Sequence, residues 1–199
     1  MRYEEFVKKI MEEYVKKGTI PVGAFPDMEL YMDQTVLFMN RKLDIYRKDP
    51  KEPVITKTMI GNYAKHDLIP RPVNKRYTRD HLLLLTLIFH LKGTFQMQEI
   101  ELLMKPLIDN YNSAFDEKFD FGQIYEGVMD VFAEEREKLA DQVDGQIGRI
   151  KDMLGLDEFA DDDTTELFML IASLALQADA RKYLAQKLLA EYFVKPKKK

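Results

Sequence analysis

Between positions 56 and 79 the sequence TKTMIGNYAKHDLIPRPVNKRYTR gathers hydroxyl, amide and cationic side chains at spacings that suit hydrogen bonding to a polyanion. Thr56, Lys57, Thr58, Asn62 and Lys65 fall along one short helical segment, near enough to its start to reach phosphate oxygens and base edges. Arg71, Asn74, Lys75 and Arg76 follow in a proline-bounded stretch that would lie beside a nucleic-acid backbone or in its minor groove. Tyr63 could offer its hydroxyl to a phosphate while its ring packs, and Tyr77 and Arg79 close the set. A solvated charged face is the competing account of any such cluster. Taken alone, the charge cluster favours the solvated face.

No other residues are arranged for a reaction. There is no cysteine, so disulfides and thiolate metal sites are excluded, and three histidines (His66, His81, His90) are too few for a histidine-built metal site. His90 sits within an apolar helix and is expected to be a core histidine hydrogen-bonded to a neighbour. Asp161, Asp162 and Asp163 lack the glycine and terminal glutamate of a calcium loop and are expected to cap a helix. Glu134, Glu135 and Glu137 have no Glu-x-x-His partner, and GxGxxG, P-loop, GxSxG and HExxH patterns do not occur. The expectation is a non-enzyme with no cofactor and no metal.

The elements that would position the polyanion-facing residues follow from periodicity. Thr56 is the natural N-cap of a helix over 57–67, whose apolar face is Met59, Ile60, Tyr63 and Leu68. Gly61 inside it costs roughly 1 kcal/mol against alanine, so close packing or a closely approaching partner should require it. Pro70, Pro72 and the Asn74-Lys75 turn predict two short strands across 71–77, the prolines confined to an edge. Thr78 then caps a very apolar helix over 79–92, the expected centre of the core. Before this stretch, residues 3–17 form an amphipathic helix, 19–30 an ordered loop over the core and 30–46 a second helix, and 48–53 an exposed linker. After it come a helix over 95–108 that Pro106 would bend, a long one over 119–153 and another over 164–193. Glycines 122, 127, 145 and 148 mark where the long helix would divide. Methionines along these helices read as core filler.

Composition agrees with an ordinary globular chain: 199 residues, 46% hydrophobic and 32% charged. The net charge of −4 hides a basic middle, +7 over residues 41–92, between segments of −2 and −9. No signal peptide and no bilayer-length apolar run is evident, so the expected location is the cytoplasm, with no membrane partner.

These residues carry a resemblance. Residues 56–68, with Tyr63 and Leu68-Ile69-Pro70, resemble the recognition helix of the MerR family of bacterial winged-helix regulators. Residues 71–77 resemble its wing, Tyr77-Thr78-Arg79-Asp80 its wing-to-helix step, and GTFQMQEIELLM at 93–104 a following helix. The likeness spans about residues 28–107. The whole chain is also similar to an uncharacterised bacterial family, a domain of unknown function with this winged helix and a helical C-terminal half. Two departures stand out: the helix before the recognition helix is longer than the family's usual one, and its connection over 46–55 is far longer than a tight helix-turn-helix turn; a dimerising coiled coil and metal-sensing cysteines are not evident either. The resemblance implies a mainly α fold. A winged helix-turn-helix with a small β-hairpin wing spans residues 28–108. It is preceded by an N-terminal helix and loop over 1–27 and followed by a C-terminal helical bundle over 109–199 for dimerisation or effector sensing. It implies a DNA-binding transcriptional regulator, with double-stranded DNA, a second copy in a homodimer, and a small-molecule or protein effector as partners. The alternative is a helical protein–protein adaptor whose winged helix does not bind DNA.

Overall fold

The computed structural model describes residues 2–111, 120–155 and 163–194. The expectations for Asp161, Asp162 and the tail at 195–199 fall outside the described residues. Seven helices and a two-stranded antiparallel sheet make up the described fold. They are α1 (Tyr3–Lys17), β1 (Leu30–Tyr31), α2 (Met32–Lys42), α3 (Lys57–Lys65), β2 (Arg76–Tyr77), α4 (Arg79–Leu91), α5 (Met97–Tyr111), α6 (Phe121–Leu154) and α7 (Asp163–Tyr192). The class is mainly α, as expected, and no helix among the described residues is long and apolar enough to cross a membrane.

Helix α4 is the centre that its LLLLTLI run predicts: His81 through Ile88 are all buried. Thr86 tolerates that burial because its hydroxyl donates back to the Leu82 carbonyl at 2.9 Å. Around α4 close Ile20 and Phe25 of the N-terminal loop, Met39 and Leu43, Ile60 and Tyr63 of α3, Ile100 and Met104 of α5, and Phe121, Tyr125 and Met129 of α6. Residues on both sides of position 108 therefore share one core. Each fully buried leucine in it contributes about 1.5–3 kcal/mol. A smaller cluster joins Tyr3 and Val7 of α1 to Val143, Ile147 and Ile150 of α6 and Leu170 of α7. There the buried carboxylate of Glu166 accepts from the Tyr3 hydroxyl, and Lys151 pairs with Glu4 at 2.5 Å.

Two helix boundaries differ from expectation. The helix expected over 30–46 is strand β1, then α2, then a 3-10 turn at 44–46. Leu30 and Tyr31 are drawn into pairing with Tyr77 and Arg76, and the Tyr31 N–H is satisfied by Gln34 Oε1 at 2.9 Å, which starts the helix afterwards. Conversely, α6 is one unbroken helix across its four glycines. Its inner residues Tyr125, Met129, Arg136, Val143, Ile147 and Ile150 recur at helical spacing and are all buried, so packing outweighs propensity.

Arg136 is the unexpected core residue. Its guanidinium is buried, donates to the Tyr14 carbonyl at the end of α1 and to Thr19 Oγ1 (2.8 Å), and stacks over the Tyr14 and Phe132 rings at 5.4 and 5.3 Å. Gly18 leaves room for it: a Cβ there would collide with the guanidinium and with the Tyr14 carbonyl. Beside it lies His90, edge-on to Tyr46, Phe89 and Phe132 with centroids 5.1–5.3 Å away. Its Nε2 is buried with no hydrogen-bond partner, contrary to the expected bonded core histidine. Burial first, and the Arg136 charge second, push its pKa down to about 4.

The folded chain thus refuses a proton that the unfolded chain takes up below the ordinary histidine value near 6.5. Stability is full above that value and falls as pH drops toward 4, by about 2–3 kcal/mol from this one group. His90→Leu should flatten that fall when urea midpoints are compared across pH. An unchanged slope in the variant would assign the acid sensitivity elsewhere.

Candidate nucleic-acid interface

The long connection between α2 and α3 is held by one side chain. Asn40 of α2 donates through Nδ2 to the Val36 and Ile55 carbonyls (2.8 and 2.7 Å), and its Oδ1 accepts from the N–H groups of Val54 and Ile55 (2.7 and 3.3 Å). Ile55 is fully buried behind this clamp, while residues 48–53 are exposed, as expected of a linker. Arg47 braces the exposed bend, bonding Asp44 Oδ1 at 2.8 Å and the Glu52 carbonyl at 3.2 Å. Helix α3 therefore starts from a fixed point, and Thr56 caps it as expected, its Oγ1 accepting from the Met59 N–H at 3.1 Å.

Helix α3 stops just as definitely. Asp67 takes a left-handed conformation (φ 52°), the Leu68 N–H donates to the Tyr63 carbonyl at 2.9 Å and the Asp67 N–H to that of Ala64 at 3.4 Å. This paired closure usually has glycine at the left-handed position, and the buried Leu68–Tyr63 pair is its hydrophobic partner contact. Ile60 and Tyr63 face the core, which leaves Lys57, Thr58, Gly61, Asn62 and Lys65 as one exposed face. Nothing lies within 4 Å of where a Gly61 Cβ would stand, so packing inside the chain does not account for this glycine.

The basic turn differs from the expected two-stranded wing in its pairing partner. Across the turn only Val73 and Arg76 bridge, while the ladder joins β2 to β1 in the register Leu30–Tyr77 and Tyr31–Arg76. At the tip Asn74 (φ 51°) and Lys75 (φ 60°) are both left-handed, and the Arg76 N–H donates to the Val73 carbonyl at 2.9 Å, the pattern of a two-residue hairpin turn. Asn is at home there, but a lysine is strained where glycine would be free. His81 fixes the turn to α4. Its Nδ1 accepts from the Thr78 N–H at 3.0 Å, which leaves the proton on Nε2 to donate to the Pro70 carbonyl at 3.0 Å. Burial lowers its pKa against the opposing pull of that hydrogen bond.

The structure sorts the residues singled out by sequence. Lys57, Thr58, Asn62, Lys65, Arg71, Asn74, Lys75 and Arg76 are exposed, and Thr56 is half-buried as a cap. Tyr63 and Tyr77 lie in the core, and the Tyr63 hydroxyl is itself buried, so both rings hold the face rather than form it. Arg79 is half-buried and committed to the Val22 carbonyl (2.7 Å) and Asp27 (3.2 Å), tying the N-terminal loop to α4. Lys57 pairs with Asp33, and Arg76 pairs with Glu29 at 3.4 Å while lying over the Tyr31 ring. Lys65, Arg71 and Lys75 have no ion-pair partner among the described residues. Sequence reasoning missed the acids Asp27, Glu29 and Asp33, whose clustering around the start of α2 was the available signal, and the clamp Asn40, which carried none. Among the described residues no group of three or more His, Cys, Asp or Glu could hold a metal ion.

The family described as Domain of unknown function (DUF1836) matches residues 20–128. No curated protein and no solved structure matches the chain.

Two substitutions test this geometry. Asn40→Ala leaves buried carbonyl and N–H groups of residues 54 and 55 unbonded and should cost about 2–3 kcal/mol, read as a lower urea midpoint. A change under about 0.5 kcal/mol would remove Asn40 from its clamping role. Lys75→Gly should raise stability by about 0.5–1 kcal/mol by relieving the left-handed strain; a loss of stability there would contradict the turn.

Proposed function

The chain belongs to the DUF1836 family, and we propose that it is a transcriptional regulator that contacts duplex DNA with the exposed face of α3 and the Asn74-Lys75 turn. The observation that carries this is the face itself: Lys57, Thr58, Asn62 and Lys65 stand on one side of a helix whose opposite side is locked in the core. A helix of nine residues, roughly 14 Å long, fits a major groove about 12 Å wide. Phosphate contacts from the lysines would set its register, and Thr58 and Asn62 would meet base edges.

Three local costs support the assignment, because stability alone does not explain them. Gly61 is bare on the exposed face, where alanine would be better by roughly 1 kcal/mol. Lys57 puts a cation at the positive end of the helix dipole. Lys75 keeps a charge at a strained position that glycine would fill more easily. Each makes sense where a polyanion comes close. The chain order of capped helix, Leu-Ile-Pro exit, turn and Tyr-Thr-Arg-Asp helix start supports a MerR-like winged helix-turn-helix. On this reading the C-terminal helices serve dimerisation and effector sensing. The pairing of Lys57, Arg76 and Arg79 with Asp33, Glu29 and Asp27 favours the second reading, a protein–protein adaptor, since it neutralises part of the face.

Duplex titration at several salt concentrations separates the two. A DNA-binding chain loses affinity steeply with salt, and Lys65→Ala with Lys75→Ala should flatten the log–log slope by about 2. Glu29→Gln with Asp33→Asn frees Arg76 and Lys57 and should tighten binding. Folded protein with no duplex affinity, or with affinity indifferent to salt and to both pairs of substitutions, would leave the adaptor.

A further inference from the structure

We propose that the outer face of the α6–α7 hairpin receives a second copy of this chain, closing a two-fold four-helix bundle. This rests on the dimeric part of the proposed function, not on DNA contact, and gives it a surface and a symmetry.

Helix α7 has 30 residues, roughly 45 Å of helix. Its first turns bury Glu166 and Leu170, but from Ala175 onward nearly every residue is exposed, Leu189 being the buried exception. That exposed stretch reads LALQADARKYLAQKLLAEY and carries large apolar side chains on every side. A helix with this character is ordinarily covered by a neighbour all round.

The register of the hairpin gathers these side chains. Arg181 reaches Glu135 at 3.1 Å, fixing where the antiparallel helices meet. Leu184 and Leu188 lie one and two turns beyond Arg181, and Val131 and Val128 one and two turns before Glu135, so the four line one seam. They are 60%, 49%, 62% and 49% exposed, and Leu176 and Tyr183 extend the patch over α7 at 71% and 63%. With Phe168 and Tyr192 the apolar exposure is on the order of 800 Å², the share each partner contributes to a standard interface.

Charge selects a copy over a foreign partner. The exposed side of α6 carries the carboxylates Glu126, Asp130, Glu134 and Glu137 against one cation, Lys138, whereas the exposed stretch of α7 carries Arg181, Lys182 and Lys187 against Asp179 and Glu191. A two-fold axis across the hairpin sets α7 of one copy against α6 of the other, so the acidic side of α6 meets the slightly basic α7 by symmetry. The product is two antiparallel hairpins packed as a bundle, the geometry that such helix pairs adopt.

Sedimentation or light scattering of the full chain at micromolar concentration, without DNA, should give twice the 23.4 kDa chain mass. Leu176→Glu with Tyr183→Glu changes only exposed positions; it should keep the far-UV circular dichroism of the parent and weaken association at least ~100-fold. Lys65→Glu, on the α3 face, should leave the dimer intact. A folded wild-type monomer, or a dimer that survives Leu176→Glu with Tyr183→Glu, would overturn the interface. A monomer that still binds duplex in a salt-dependent way refutes this surface and leaves DNA contact standing, while a dimer without duplex affinity supports the surface and removes DNA contact.

Discussion

The fold depends on how it accommodates one buried positive charge. Arg136 has no carboxylate partner among the described residues, and a guanidinium removed from water without compensation would cost several kcal/mol. Its compensation comes from geometry. The carbonyl end of α1 carries partial negative charge, Thr19 adds a hydroxyl, and the Tyr14 and Phe132 rings present their negative faces. Each of these must be in place at once, so α1, the loop after it and α6 have a single mutual arrangement. Gly18 belongs to the same solution, since any side chain there displaces the guanidinium. Tyr46 completes it by donating its hydroxyl to the Gly18 carbonyl at 2.6 Å, which fastens the end of the α2 region to the same point.

Fixity passes from there to the basic face through a short set of polar contacts. Tyr125 of α6 donates to the Ile20 carbonyl at 2.8 Å, and Arg79 at the start of α4 holds the Val22 carbonyl, so the N-terminal loop spans α6 and α4. From α4, His81 grips Pro70 at the head of the basic turn. From α2, Asn40 grips Val54 and Ile55 at the foot of α3. The α3 helix and the turn are thus each positioned by a single neutral side chain that satisfies backbone groups in a water-poor setting, where such bonds are costly to lose. Lys65, Arg71 and Lys75 are then left without structural duty among the described residues and stand at the surface.

The sequence made the helices legible because their apolar spacing was regular and their caps were specific. Thr56 and Thr78 mark their helix starts correctly, and the leucine run of α4 announces its own burial. Signals that depend on a distant partner were not legible. Nothing local distinguishes Arg136 from the other charges of α6, since its hydrogen-bond partners, the Tyr14 carbonyl and the Thr19 hydroxyl, lie more than a hundred positions away. Leu30 and Tyr31 read as helix because their strand partner, at 76–77, lies beyond any local window. Tyr63 and Tyr77 read as packing residues that could still offer a hydroxyl to a phosphate, and the burial of the Tyr63 hydroxyl is what only packing decides. The Asp67 closure was hidden because an aspartate stands where glycine would have signalled the left-handed turn.

The acids opposite the basic face alter what its charge can accomplish. Asp27, Glu29 and Asp33 pair with three cations through exposed, solvent-screened contacts that contribute little, so a phosphate can replace them at little cost. At long range, however, they cancel much of the local field, and the chain as a whole is negative at −4. On the proposed function, a DNA rod is weakly repelled until the face lies within about 8 Å, the screening length at physiological salt. Attraction then arises only in the docked geometry, where Lys65, Arg71 and Lys75 are free and the paired cations exchange partners. A uniformly basic surface would bind any duplex in any orientation. On the proposed function, placing the cations on an acidic chain, three of them beside a replaceable partner, would make affinity conditional on fit, and the clamps of Asn40 and His81 would supply that fit.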